Sequence, residues 1–196
     1  MTICVDAASN MAVERPAGGL AFARRRRSLP AFGRLRRDQG GVVILDFRAA
    51  TVGDADSVAD VYLRSRKELV ACAPLVHSDD AVREWIRRHL IPAGHTTVAV
   101  VDDLVVGLLA VSKGTGCSRI DQLYLLPAWV GRGIGTRLLE LARSELLPPI
   151  RLYTFQCNQP ARHFYERRGF NAIAFGDGSG NEEKCPDILY EWQPGR

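Results

Sequence analysis

The residues in this 196-residue chain whose types and spacing best suit chemistry are Val130-Gly131-Arg132-Gly133-Ile134-Gly135. Three alternate glycines lie between a run that reads as a strand, Arg119 to Leu126, and one that reads as a helix, from about Gly133 to Leu147. A glycine loop opening directly into a helix aims several backbone N–H groups, and the positive end of the helix dipole, at one point. The result is an anion site, with Arg132 adding a charge beside it, and a phosphate or pyrophosphate is its natural guest. A P-loop needs Lys-Ser or Lys-Thr after its glycines, whereas Thr136 here follows Gly135. A dinucleotide fingerprint needs the loop after the first strand of a βαβ unit, and this one lies mid-chain after a meander. The four histidines have no metal-ligand spacing, so no metal is implied. The five cysteines are odd in number, widely spaced and without a CxxC, which supports neither a disulfide framework nor a zinc site and favours a reducing, cytoplasmic setting.

The elements that position this loop follow from periodicity and punctuation. Val42 to Ala50 reads as a strand. Thr51 and Asp54 have capping-box spacing before a helix that runs to about Ala71, striped by Val58, Val61, Tyr62 and Leu69. Ser78, Asp79 and Asp80 start a second helix, in which Val82, Trp85, Ile86, His89 and Leu90 share one face, so His89 is expected half-buried. Thr96 to Val101 and Leu104 to Lys113 read as a hairpin about Asp102-Asp103. After the glycine-led helix, Pro148-Pro149 stops the chain, and Arg151 to Gln156 is again a strand. Asn158 caps a short helix that ends at Gly169, and Phe170 to Phe175 and Ile188 to Trp192 are the last strands. The order β-α-α-β-β-β-α-β-α-β-β describes a mixed α/β domain with a central meander.

A second block supplies the meaning of the first. Asn158-Gln159-Pro160-Ala161-Arg162-His163-Phe164-Tyr165-Glu166-Arg167-Arg168-Gly169-Phe170 matches the pattern Asn-x-x-Ala-x-x-Phe-Tyr-x-x-x-Gly-Phe at every specified position. With the glycine loop and the Phe47-Arg48-Ala49-Ala50 opening, the chain resembles the Gcn5-related N-acetyltransferase (GNAT) superfamily over roughly residues 44–192. The superfamily's pyrophosphate motif, Gln/Arg-x-x-Gly-x-Gly/Ala, falls on Val130 to Gly135, with Val130 in place of the polar first residue. The resemblance implies the GNAT fold, a mixed sheet with splayed strands flanked by helices. It implies acetyl-CoA as the acyl donor, held by Val130, Gly131, Arg132, Gly133, Ile134, Gly135 and Thr136. The backbone of Leu123, Tyr124 and Leu125 would pair with the pantetheine arm, joined by Asn158 and Tyr165. It also implies direct attack by an amine, with Tyr165 protonating the departing thiolate; a phenol with a pKa of about 10 suits that task.

The remaining roles are read from position. Asp121, on the strand that should face the thioester, is the candidate base, against a water relay as competitor, and the adjacent Gln122 could orient acceptor or water. Glu84 and Asp54 are expected to face solvent, and His163 to face outward. His77 lies in the loop between the first two helices, where it either lines the acceptor cleft or packs in a turn. Cys157, with no partnered histidine at hand, is not a nucleophile. The polar loop 176–187 is expected to overhang the acceptor, and Trp192 to pack beside the last strand or at a dimer surface.

Charge divides the chain. Residues 1–41 hold eight arginines against Asp6, Glu14 and Asp38, a net +5 of the chain's +4, so residues 42–196 carry −1. The first 41 residues are therefore expected to be a mobile basic extension and 42–196 the domain, with nucleic acid a poor partner for the latter. No run of apolar residues is long enough to span a membrane. The expected function is acetyl transfer to the primary amine of a small molecule, by a protein able to form a homodimer. A peptide or protein acceptor is the alternative, as is a non-catalytic acyl-CoA sensor of the same fold.

Overall fold

The computed structural model of the chain describes residues 42–195 and two earlier segments, Val5–Asp6 and Gly33–Arg36. The described strands form one mixed sheet. In chain order they are β1 (Val5–Asp6), β2 (Gly33–Arg36), β3 (Val42–Ala49), β4 (Thr96–Val101), β5 (Leu104–Lys113), β6 (Ser118–Leu125), β7 (Ile150–Phe155), β8 (Asn171–Gly176) and β9 (Asp187–Trp192). Across the sheet the order is β2-β3-β4-β5-β6-β7-β9-β8, with β1 paired to β6 outside this path. The helices are α1 (Ala55–Leu69), α2 (Asp79–Trp85), α3 (Ile134–Glu145) and α4 (Gln159–Glu166). From Val42 onward the element order is the one the sequence predicts.

Local chemistry explains each junction. The β4–β5 hairpin turns on Asp102 and Asp103, whose φ values of 46° and 63° are the left-handed pair that matches strand twist in a two-residue turn. The Thr51–Asp54 box forms as expected: the Thr51 amide and hydroxyl donate to Asp54 Oδ2 at 2.8 and 2.7 Å. Asp54, however, does not face solvent. It is 8% exposed and takes both guanidinium nitrogens of Arg48 at 2.8 and 2.7 Å. That pairing holds its carboxyl well below the usual carboxylate range.

His89 also departs from expectation. Residues 86–90 continue α2 as a π-helical turn, with the Ile91 amide donating to Ile86 O at 3.1 Å. The wider turn shifts the phase of the stripe, so Val82 and Ile86 are buried while His89 is exposed.

Six consecutive residues of β5, Val105 to Ala110, are buried, which requires cover on both faces of the sheet. Helices α1 and α3 both pack on β5 and β6 and supply it. α1 lies on the face of Tyr124, whose ring meets Tyr62 at 4.9 Å. Beyond α1 that face is left open over β6, β7 and β9, where Arg119, Asp121, Tyr153 and Leu189 are only partly buried.

Two short strands precede Val42 among the described residues. β2 pairs with β3, and β1 pairs antiparallel with β6, Val5 opposite Leu123 and Asp6 opposite Gln122. The rest of the predicted 1–41 extension lies outside the described residues.

Candidate active site

The site is built where β6 and β7 part. These parallel strands pair only at Ser118–Ile150 and Arg119–Arg151, and beyond that their backbones separate. On its other side β6 stays bonded to β5 through Leu125, with a bulge: Ala110 faces Gln122 and Val111 faces Ile120, leaving Asp121 as the extra residue. β1 packs against β7 as well as pairing with β6, so Val5–Asp6 lies in the gap, against the strand predicted to receive the pantetheine arm. The side chains of Leu123, Tyr124 and Leu125 are buried in the core.

The glycine loop leads from β6 into α3. Gly131 and Gly133 have φ values of 82° and 81°, which any residue with a Cβ adopts only at a cost of about 1–2 kcal/mol. A Cβ at either position would meet nothing within 4 Å, so the cradle is open space. Gly133 caps α3 without a side chain, leaving the first-turn N–H groups with no intrahelical partner. Ile134 and Gly135 are buried beneath this turn. Val130 is partly buried and packs against the core. Arg132 lies over the Trp129 ring at 5.1 Å, and its Nε donates to Ala128 O at 3.2 Å.

The sequence reading missed a second cation here. Arg168 Nη2 donates to Thr136 Oγ1 at 2.6 Å, placing a guanidinium at the first turn of α3, where Val130 supplies nothing. Its position inside the Phe-Tyr-x-x-x-Gly-Phe block was the available signal, masked because the pattern leaves that residue unspecified.

Of the roles expected of Asn158, the helix cap forms. Its Oδ1 accepts from the Ala161 amide at 3.3 Å and caps α4. Its Nδ2 is buried with no partner, in a residue 3% exposed. Gln122 Oε1 is orphaned likewise, in a residue 6% exposed. Such groups cost roughly 1–3 kcal/mol each unless a ligand meets them. With the open glycine cradle they fit an elongated ligand having an anionic end and an amide-bearing arm, as coenzyme A has.

Tyr165 is fully buried, ringed by Phe164, Phe170 and Tyr190 at centroid distances of 5.1, 5.6 and 6.3 Å. The α4 helix then ends as predicted on Gly169, φ 75°, with the Phe170 amide bonded back to Tyr165 O at 3.1 Å. Asp121 faces the open side of the sheet. Ser112 donates to its Oδ1 at 3.0 Å and Arg119 Nε lies 3.9 Å away. Burial outweighs these and pushes the Asp121 carboxyl up from the ordinary value, the direction a proton acceptor needs. Ser112 was not foreseen; only strand register brings it to Asp121.

Near the end of β7, three segments are bound to one another. Loop 176–187 folds onto the α1–α2 connection: Arg66, buried in α1, pairs with Glu183 at 3.2 Å, and His77 Nε2 meets Glu182 Oε2 at 2.8 Å. Gln156, at the end of β7, donates from its amide to Pro186 O at 2.8 Å and from its side chain to Gly176 O at 2.9 Å. Beside this cluster lies a cavity of about 420 Å³ lined by Arg119, Tyr153, Phe175, Asp177 and Asp187. The expectation that no disulfide forms is overturned: Cys72 and Cys157 are bonded. They lie 85 residues apart, and no spacing rule reveals that the α1–α2 loop returns to the end of β7. Glu84 pairs with Arg87 at 3.3 Å and lies outside the site, His163 is exposed, and Trp192 stacks under Arg143 at 4.5 Å.

Among the described residues, no three His, Cys, Asp or Glu side chains group as metal ligands would, and no helix is long and apolar enough to cross a membrane.

Comparison with known proteins agrees with this geometry. The peptidyl-lysine N-acetyltransferase YiaC of Escherichia coli (strain K12) is 28% identical over 93 residues, covering 46% of this chain and 58% of YiaC. This chain therefore spans less than two thirds of that curated relative. Among solved structures, the apo form of YjaB from Escherichia coli superposes with a TM-score of 0.62 at 20% identity, covering 76% of this chain and 97% of YjaB. A GNAT-family acetyltransferase from Bacillus cereus ATCC 10987 gives 0.60 at 19%, covering 78% and 99%. The PaiA N-acetyltransferase of Thermoplasma acidophilum, in complex with coenzyme A, gives 0.57 at 19%, covering 76% and 99%. These likenesses concern the fold. The sequence model of the acetyltransferase (GNAT) family matches residues 63–170, more than half of the chain, and the protein belongs to that family.

Proposed function

We propose that the protein transfers an acetyl group from acetyl-CoA to the side-chain amine of a peptidyl lysine. The observation that carries this reading is the junction of two features: an open glycine cradle at the start of α3 and a β6–β7 gap edged by the orphaned Asn158 Nδ2 and Gln122 Oε1. The likeness to YiaC supports a peptide acceptor over the small-molecule amine expected from sequence.

Acetyl-CoA supplies an activated thioester. The chain's own groups do the rest. Gly131 to Thr136, with Arg132 and Arg168, hold the pyrophosphate through backbone N–H groups and charge. Asn158 and the β6 backbone orient the arm, which requires Val5–Asp6 to leave the gap. Asp121 accepts the proton of the lysine ammonium on the open face of the sheet, and Tyr165 returns a proton to the departing thiolate. Asp177 and Asp187 line the neighbouring cavity and attract a cationic side chain.

The test is incubation with isotopically labelled acetyl-CoA and a lysine peptide, the same peptide with arginine for lysine, and a panel of small primary amines, read by mass spectrometry. Label on the lysine peptide alone supports the proposal. Label confined to a small amine would replace the acceptor class, and none on any amine would point to the non-catalytic sensor.

A further inference from the structure

The sequence singles out Cys157 only to reject it as a nucleophile, and the structure gives it a partner. Cys72 and Cys157 are both exposed, with Cα atoms 6.2 Å apart. Their bond joins the α1–α2 loop to the residue immediately before Asn158, across the mouth of the β6–β7 gap. The other ties holding this loop to the mouth are weaker. His77 and Glu182 are each 35% exposed, and a hydrogen bond so open to solvent contributes little. Arg66 of α1 pairs with Glu183 at 3.2 Å, and the same Nη2 reaches Pro74 O of the loop at 3.5 Å. Within residues 70–78, Val70 and Ala73 are buried in the core, while Ala71, Cys72, Val76 and Ser78 are exposed, and this exposed part is tied to the end of β7 by one covalent bond.

A third cysteine lies against the pair without being able to open it. Cys185 is 8% exposed, with its Sγ 4.0 Å from Cys72 O. Burial pushes its thiol up, so it stays protonated and unreactive. The disulfide therefore faces solvent with no competent thiol of the described chain beside it, and its exchange partner must come from outside.

We propose that Cys72–Cys157 is a thiol-exchange site through which an external dithiol reductant sets the order of the acceptor loop. The thiolate of the dithiol attacks one sulfur, the S–S bond breaks, and the other cysteine leaves as a thiolate that takes a proton. The second thiol of the reductant then displaces the mixed disulfide. The protein gains two thiols and the reductant becomes a disulfide, balancing two electrons and two protons. Opened, the loop must be ordered by the acceptor on binding, and acceptor recognition weakens while the glycine cradle is untouched. The effect on acceptor binding rests on the acetyl-transfer reading; the effect on loop order does not.

Two measurements test this. The first is amide hydrogen exchange over residues 70–78, with and without dithiothreitol, on the full chain and on the Cys72→Ser/Cys157→Ser variant. Exchange should speed by about ten-fold on reduction, the variant should match the reduced protein, and reductant should add nothing to it. Unchanged exchange, a reductant effect persisting in the variant, or no linked Cys72–Cys157 peptide in a non-reducing digest overturns the proposal. The second is steady-state kinetics. Reduction should raise KM for the lysine peptide about three-fold or more, with the acetyl-CoA Kd held within about two-fold. A Kd that moves as much as KM would refute control at the acceptor loop. Absence of transfer in both redox states would sink the acetyl-transfer reading and leave the exchange measurement to decide on the disulfide.

Discussion

Asn158 separates structure from function within one side chain, and Asn158→Ser is the variant that exposes the separation. Serine keeps an oxygen able to cap α4, so the contribution of the Oδ1–Ala161 bond, about 1 kcal/mol for a typical N-cap, is largely retained. What disappears is the Nδ2 group, buried without a partner. An orphaned buried donor costs roughly 1–3 kcal/mol, so its removal offsets the lost packing and the ligand-free protein should melt close to wild type, within about 1 kcal/mol. Binding should not be spared. If Nδ2 meets the amide-bearing arm of acetyl-CoA, its loss removes a hydrogen bond of about 1–1.5 kcal/mol, and Kd should rise about ten-fold. The assay is thermal unfolding with and without acetyl-CoA, paired with calorimetric titration. A variant destabilised by more than about 2 kcal/mol with an unchanged Kd would show Asn158 to be a cap and nothing more, and would refute the reasoning.

Four further expectations follow from the same geometry. Tyr165→Phe should lower kcat by about 10²-fold while leaving the acetyl-CoA Kd unchanged; an equal loss in both marks a packing role. Asp121→Asn should lower kcat/KM and abolish the acidic limb of its pH profile. In the wild type that limb lies above the ordinary carboxylate range because burial raises the Asp121 pKa, and a limb at the ordinary value contradicts the assignment. Asp54, held low by Arg48, contributes stability that is present above the unfolded-state pKa of about 3.9 and lost as pH falls through the folded value. Asp54→Asn should therefore cost roughly 1–3 kcal/mol at pH 7 and flatten that part of the pH–stability curve, measured by urea unfolding. Deleting residues 1–41 should tighten acetyl-CoA binding, because Val5–Asp6 lies in the gap the arm must enter; weaker binding by calorimetry contradicts competition.

The sequence showed those parts of the protein that repeat a local rule. Each strand and α-helix from Val42 onward announced itself by period, cap or punctuation, and the glycine loop and the Asn158–Phe170 block were legible as a candidate site because their spacing is contiguous along the chain. What stayed hidden depends on which strands lie side by side. Ser112 reaches Asp121 through register, Arg66 reaches Glu183 across 117 residues, and Cys72 meets Cys157 across 85. His89 was misplaced because one π turn shifts the helical phase, which no 3.6-residue pattern foresees. Asp54 was misjudged because capping geometry says nothing of the cation that Arg48 brings from the preceding strand.

The central claim is that the open cradle and the β6–β7 gap together receive acetyl-CoA. Calorimetric titration of the purified protein with acetyl-CoA, with ATP and NAD as controls, tests it most directly, and Gly133→Val supplies the internal check. The account predicts one site for acetyl-CoA, none for the controls, and loss of that site in Gly133→Val, whose side chain projects into the cradle from a φ of 81°. Equal binding of all three nucleotides, or acetyl-CoA binding untouched by Gly133→Val in a folded variant, would contradict it.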